Sequence, residues 1–551
     1  MTDQFILQDS YDVQEREVVD WSVTQKRFMR VQDTANSGSY PGSNVVFDLS
    51  TVSNSGKFLS LADSTVTFPV NIEVTRTNGT LPVKANRFLA CLKNNHAIVD
   101  SISATLSNMP VIQSQKMNPA RVAYSLATNW SQDDYARAGR FGIAWEDGTK
   151  HKINAANSCF GTKGVSNTSV LDYSASADDM AKYMAGVDKA HGNKGRKARC
   201  ESVRYPDADL QTYKTDSASV IERQSFMVNE ATKQVFHINV TCSLAHLDDF
   251  FKRAPMSRNG LWRIEFFLNL ASMNIVIDGG ESVVGAGTAI DKTYKSVETT
   301  TSNGFNPISL GALQAGDGTG PMPVADKSMT VKMAIGNNMY PTGCHMDLAL
   351  YDLAPFAQKA YLAEPVKTWE YEKCLYQHVG SVPKNGFKNL LLSNGTSRAR
   401  KLVILPYYVN GDTKESPSDL LSPFSSFGSS TLSGLNCTIT DFQVTCSGQP
   451  LFQTPLKENA LEYYDRFKQW TLNNGHDSAE INSSAVSLEQ YKSLYGAIVI
   501  DLTKHDQSED DLSKSYAIEF RNNTEQVCSY LTMIYYSATI SQNVESGIII
   551  V

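Results

Sequence analysis

Apolar and polar residues alternate in short runs through most of this chain. The runs "NVVFDLS" (44–50), "STVTFPVNIEVT" (64–75), "MTVKMAIGN" (329–337), "HMDLALYDL" (345–353) and "RKLVILPYYVN" (400–410) keep a period near two, which places one face of a strand on a core and the other toward water. They are rich in the β-branched and aromatic residues that suit a pleated surface. Polar, turn-forming stretches such as "TVSNSGK" separate them. A helical period is confined to a few segments, chiefly "MNPARVAYSLATNW" (117–130) and "LKENALEYYDRFKQW" (456–470). The pattern predicts an all-β chain with short helices.

Those two helical segments close two copies of one longer phrase. Thr105 to Gln113 reads "TLSNMPVIQ" and Thr445 to Gln453 reads "TCSGQPLFQ". At the fixed offset of 340, Pro110 meets Pro450, Gln113 meets Gln453, Ala120 meets Ala460, Tyr124 meets Tyr464 and Trp130 meets Trp470. Each copy predicts a strand, a polar turn, a second short strand and a helix. A further echo follows: "VFHINVTCSL" leads to "LWRIEFFLNL", as "AIVIDLTK" leads to "SYAIEFRNN", with "IEF" at 264–266 and 518–520. Here the offset falls to 254, so the first copy carries roughly 80 additional residues between Trp130 and about Val235. Strands in one order, repeated with variable loops, describe a duplicated β-sandwich.

Length agrees with duplication, since 551 residues exceed the roughly 250–300 at which one core stops growing. The expected organisation is an N-terminal arm over 1–40, a first domain over 41–285 with a long insertion at about 131–235, a Gly/Thr/Ser-rich linker over 286–325, and a second domain over 326–551. Nine cysteines without a C-x-x-C pair argue against a disulfide framework or zinc ribbon and read as small buried groups in a reducing compartment. The start has neither a basic n-region nor an apolar h-region, and no apolar run nears the roughly 20 residues of a membrane span. The expectation is a chain made inside the cell, without signal-peptide secretion. A net charge of −7 argues against a surface that coats nucleic acid, which needs clustered Lys and Arg.

The strings "NVVFDLSTVSNSGKFLSLADSTVTFPVNIEV", "NRFLACLKNNHAIVDSISATLSNMPVIQ", "LDDFFKRAP" and "SPF" followed by "ITDFQVTCSGQPLFQ" together resemble the major capsid proteins of Polinton-like viruses, adintoviruses and virophages, in order and spacing over about residues 40 to 545. The resemblance implies a double jelly roll, two eight-stranded antiparallel sandwiches in tandem. It further implies a homotrimer forming a pseudo-hexagonal capsomer that tiles an icosahedral shell in the virion. The implied partners are the chain itself, neighbouring capsomers, and penton and minor capsid proteins, with no cofactor and no sequence-specific nucleic-acid binding. The shell's inner face then meets either an internal membrane or DNA compacted by other factors, and "QEREVVDWSVTQKRFM" (14–29) is expected as an inward-facing arm. The competing reading is a tandem β-sandwich that binds carbohydrate or serves in viral attachment.

Candidate residues are few. Tyr124, Trp130, Tyr464 and Trp470 are expected to seat the two repeated helices on their sheets. The basic run "DKAHGNKGRKARCESVR", with Lys189, Lys194, Arg196, Lys197, Arg199 and Arg204, reads as a solvated loop, an inter-subunit contact or a polyanion site. His246, Asp248 and Asp249 in "HLDDFF" lie close enough to evoke a metal, but a short helical turn between strands is the plainer account. Cys344 and His345 would point to opposite faces of a strand. No P-loop, Rossmann, H-E-x-x-H or G-x-S-x-G motif occurs, and no enzyme is expected.

Overall fold

The computed structural model describes residues 22–35, 43–53, 55–76, 88–92, 95–113, 118–130, 203–204, 225–229, 233–270, 272–278, 293–298, 308–312, 328–335, 343–408, 439–457, 460–473, 488, 491, 497–503, 512–523 and 528–550. In chain order the first half runs β1 (Val23–Gln32), β2 (Asn44–Asp48), β3 (Phe58–Arg76), β4 (Phe88–Leu92), β5 (Val99–Leu106), β6 (Met109–Ile112), helix α1 (Asn118–Asn129), β7 (Val203–Arg204), β8 (Ser225–Asn229) and β9 (Lys233–Ser243). The short helices α2 (Leu244–Leu247) and α3 (Asp249–Arg253) then lead to β10 (Trp262–Leu268), β11 (Ser272–Asp278), β12 (Thr293–Glu298), β13 (Ile308–Ala312), β14 (Ser328–Ile335) and β15 (His345–Leu353). After helix α4 (Pro355–Ala363) come β16 (Val366–Val382), β17 (Phe387–Thr396), β18 (Ala399–Tyr408), β19 (Ile439–Cys446), β20 (Gln449–Pro450), helix α5 (Ala460–Asn473), β21 (Ile498–Asp501), β22 (Lys514–Asn522), β23 (Cys528–Asn543) and β24 (Ile548–Ile550).

The pairing of these strands identifies the fold. One wall of the first sandwich has the order β1-β15-β3-β9 and the other β2-β10-β5-β6. The second sandwich has β16-β23-β18-β21 and β17-β22-β19-β20. When the eight strands of each set are ranked along the chain, both sandwiches give 1-8-3-6 in one wall and 2-7-4-5 in the other, with every wall pairing antiparallel. That is jelly-roll topology, twice.

The repeated phrase is the hairpin between the fourth and fifth strands of each set. Leu106 pairs with Met109 and Thr105 with Pro110 in one copy, and Cys446 with Gln449 and Thr445 with Pro450 in the other. Both two-residue turns need positive φ at both positions, met by Ser107 (50°) and Asn108 (68°) and by Ser447 (50°) and Gly448 (84°). Such turns match the twist of the flanking strands. The second echo also falls on equivalent elements, β9 to β10 and β21 to β22.

Pairing moves the expected domain boundaries. Strands β14 and β15 hydrogen-bond to β3, β12 pairs with β11, and β13 pairs with β4. The described parts of the expected linker 286–325 are therefore strands of the first half, inserted between the seventh and eighth strands of its jelly roll. The pairings place the division at α4, not near 326. The expected arm 1–40 is likewise displaced, because Val23–Gln32 forms the first strand, β1, against β15. Alternation predicts that a segment is a strand but carries no information about which distant strand accepts its hydrogen bonds.

Phe47, Phe68 and Phe266 form the aromatic centre of the first core, with Phe266 edge-on to Phe47 at 5.9 Å and to Phe68 at 5.6 Å. Phe442, Phe467, Phe520 and Tyr530 lie in the second. Neither core ends at its own sandwich. Tyr371 of β16 belongs to the first core, with Trp369, Ala538, Ile540 and Ile549 packed against it, while Ala120 and Tyr124 of α1 belong to the second.

Candidate assembly interface

The junction between the sandwiches is built around the ribbon of β16 and β23. Trp369 and Tyr371 point to one of its faces, where the Phe250 ring of α3 lies 5.9 Å and 5.1 Å away. On the opposite face, Tyr535 meets the Tyr124 ring of α1 at 5.8 Å. The first sandwich thus grips both faces of the second sandwich's ribbon.

Polar groups fix the register of this grip. Arg121 is ion-paired to Asp248 at 2.9 Å, with both side chains largely buried, and it also donates to Asn118 Oδ1 at 2.8 Å and to the Leu247 carbonyl. Burial alone would lower the Arg121 pKa, but the Asp248 carboxylate outweighs it and holds the group above its ordinary value. Asp248 also accepts from the Phe250 amide at 2.9 Å as the N-cap of α3. Asp249 crosses the junction and accepts from the Glu372 backbone amide at 2.9 Å. On the far side Glu372 pairs with Lys401 at 3.1 Å, whose ammonium lies 4.4 Å from the Tyr535 ring centre and 5.4 Å from that of Tyr124.

A second attachment comes from the chain's last hairpin. Arg258 donates its amide to the Val544 carbonyl at 2.9 Å and pairs through its guanidinium with Glu545. Asn259 Nδ2 donates to the Glu545 carbonyl at 2.9 Å. Gly547 has φ +69°, and a Cβ there would lie 2.2 Å from Gly260 Cα. Only glycine permits this approach.

Beside the Arg121–Asp248 pair lies a cavity of about 70 Å³ lined by Asn118, Arg121, Asp248, Glu372, Lys373 and Tyr376, among others. It has room for a few waters. Burial pushes the Cys374 thiol and the Tyr124, Tyr376 and Tyr535 phenols up, so these groups are poor nucleophiles near neutral pH. The arrangement is suited to holding two lobes together.

The "HLDDFF" residues diverge. His246 lies against Trp130 at 4.9 Å and His96 at 5.8 Å, and burial, with Lys252 nearby, lowers its imidazole to about 4. Asp248 turns to Arg121, and Asp249 to Arg253 and β16. Among the described residues no group of three or more His, Cys, Asp and Glu is placed to hold a metal. The segment forms two short helical turns, and its role in the junction had no sequence signal beyond the paired acids.

The expected packing residues occupy different settings. Tyr124 is 1% exposed and faces the second sandwich, whereas Trp130 lies against α2. Tyr464 is half-buried beside Phe467 and Tyr491, and the fully buried positions among the described side chains of α5 are Tyr463 and Phe467. The Trp470 side chain lies outside the described residues, as do Lys189, Lys194, Arg196, Lys197, Arg199 and the arm residues before Ser22. Cys344 is buried, and His345 Nδ1 lies 3.2 Å from the Gly343 carbonyl. Among the described residues no helix is long and apolar enough to cross a membrane.

Large apolar side chains remain exposed on both sandwiches, including Phe28 on β1, Phe356 on α4, Phe387 and Leu391 on β17, Leu461 on α5 and Leu512 before β22. No family model and no curated protein matches the chain. Among solved structures it is similar to a chain of the Sputnik virophage structure (12% identity, TM-score 0.47, covering 96% of this chain and 88% of that one). It is also similar to the mavirus major capsid protein (8%, 0.44, 97% and 94%) and the Faustovirus major capsid protein (9%, 0.42, 94% and 90%). The fold of this chain, fixed by the strand orders of its own two sandwiches, is a double jelly roll.

Proposed function

We propose that this chain is the major capsid protein of an icosahedral virus and homotrimerises into pseudo-hexagonal capsomers. The observation that carries the reading is the tandem of two complete jelly rolls with one strand order, joined as neighbouring lobes by an extensive internal junction. Three such chains in a ring present six similar lobes, an outline that fits hexagonal neighbours. Exposed Phe28, Phe356, Phe387, Leu391 and Leu461 supply apolar surface for contacts between copies. Partners are then the chain itself and adjoining capsomers, with penton and minor capsid proteins at the vertices and seams, and the location is the virion.

Light scattering coupled to size exclusion tests the reading. A mass of three chains is expected. A single-chain mass that persists as concentration rises overturns it and turns attention to a carbohydrate-binding or attachment role.

A further inference from the structure

The chain contains two copies of one fold, so each element of one sandwich has a counterpart whose surroundings can be compared. The ribbon of the first and eighth strands is gripped on both faces in the second sandwich. Among the described residues no helix is placed on this ribbon's counterpart in the first sandwich, β1 with β15, in the same way. Along β1 the residues Thr24 to Phe28 and Arg30 are exposed, and only Val31 is buried. Phe28 is 62% exposed on a strand that, among the described residues, is hydrogen-bonded along a single edge. Open edges with outward aromatic residues are surfaces that proteins normally cover.

The gripping elements have counterparts too. Arg121 and Tyr124 of α1, which hold the second sandwich, correspond at the offset of 340 to Leu461 and Tyr464 of α5. Leu461 is 48% exposed and Tyr464 half-buried, with Glu462 and Asp465 exposed beside them. The counterpart of the α2–α3 connection is the segment ahead of β22, where Leu512 is also exposed. Val23–Gln32 carries Lys26, Arg27 and Arg30 and no acid, whereas the exposed charges of α5 include the acids Glu462 and Asp465, its half-buried Arg466 and Lys468 lying over the Phe452 and Tyr464 rings. Lys26 and Arg30 also meet Asp63 (3.4 Å) and Asp347 (2.9 Å) within the chain, so Arg27 is the cation best placed for an external acid.

We infer that the β1–β15 ribbon is the docking surface for a second copy of this chain, whose α5 and the segment at Leu512 grip it as α1 and α3 grip β16–β23 within one chain. The contact is heterologous, from the second sandwich of one copy to the first sandwich of the next, and three repeats close a ring of six lobes. This inference rests on the trimeric reading above and specifies which surfaces make the trimer.

The test compares full-length wild type with Phe28→Asp, Leu461→Asp and Arg27→Glu by sedimentation at matched concentration, with near-ultraviolet circular dichroism as the check on folding. Phe28 and Leu461 are both exposed, so the folded spectrum should be retained. The expected result is a shift from three chains to one for Phe28→Asp and for Leu461→Asp, and partial dissociation for Arg27→Glu that Glu462→Lys with Asp465→Lys reverses. A three-chain wild type whose Phe28→Asp and Leu461→Asp variants stay trimeric overturns this assignment and leaves the capsomer reading standing. Dissociated Arg27→Glu that charge reversal on α5 fails to restore overturns the pairing with α5. A single-chain wild type overturns both the assignment and the reading beneath it.

Discussion

Arg121 and Asp248 illustrate how a few side chains can set the relation between two lobes. Both are largely buried, and removing one partner of such a pair strands the other charge away from water. Asp248→Asn keeps an N-cap acceptor for α3 but discards the charge, and is expected to cost about 3–5 kcal/mol; Asp248→Ala should lose about 1 kcal/mol more with the cap. Urea unfolding of the two variants separates these contributions. His246 supplies a pH dependence. Its folded value near 4 lies below the ordinary 6.5, so the unfolded chain binds more protons between those values and stability falls as pH drops through that window. The loss should reach about 3 kcal/mol near pH 4 and be absent above pH 7. The urea midpoint of wild type should therefore fall relative to that of His246→Gln as pH drops through the window, and the difference between the two should be constant above pH 7.

At the scale of elements, the repeated hairpin was the most legible part of the chain, because turn chemistry and alternation are local. Ser107–Asn108 and Ser447–Gly448 both adopt the left-handed region that "SN" and "SG" accommodate. Replacing Asn108 by Val, a β-branched residue at φ 68°, should destabilise by about 1–2 kcal/mol, whereas Asn108→Gly should be neutral or mildly stabilising; thermal melts distinguish the two. Strand β1 was not legible. Its sequence "VTQKRFMRVQ" spreads four apolar residues among charges without a clean period, as suits an edge strand, so charge patterning made it read as an arm. Strand β14 alternates, yet its place, and through it that of β11 and β12, depends on hydrogen bonds to β3, hundreds of residues away, while β13 pairs with β4. Gly547 is another element-level constraint. Gly547→Ala must move the last hairpin off Gly260, and is expected to expose the segment after Asn543 to limited proteolysis while the sandwich cores stay resistant.

For the whole molecule, duplication explains more than any single residue does. The offset of 340 and its fall to 254 mark the same hairpins, helices and strand pairs in both sandwiches. What the repeat could not reveal is where the copies differ in use. Helix α1 became a wedge between lobes, while α5 lies on its own sheet, and that difference depends on Arg121 finding Asp248 across 127 positions. The same asymmetry leaves, among the described residues, one ribbon covered on both faces and one with exposed outward residues.

Negative-stain class averages of the purified protein, viewed along the particle axis, test this account most directly. It requires a three-fold particle with a near-hexagonal outline and six lobes of similar size. Isolated two-lobed particles at every concentration tried would contradict it.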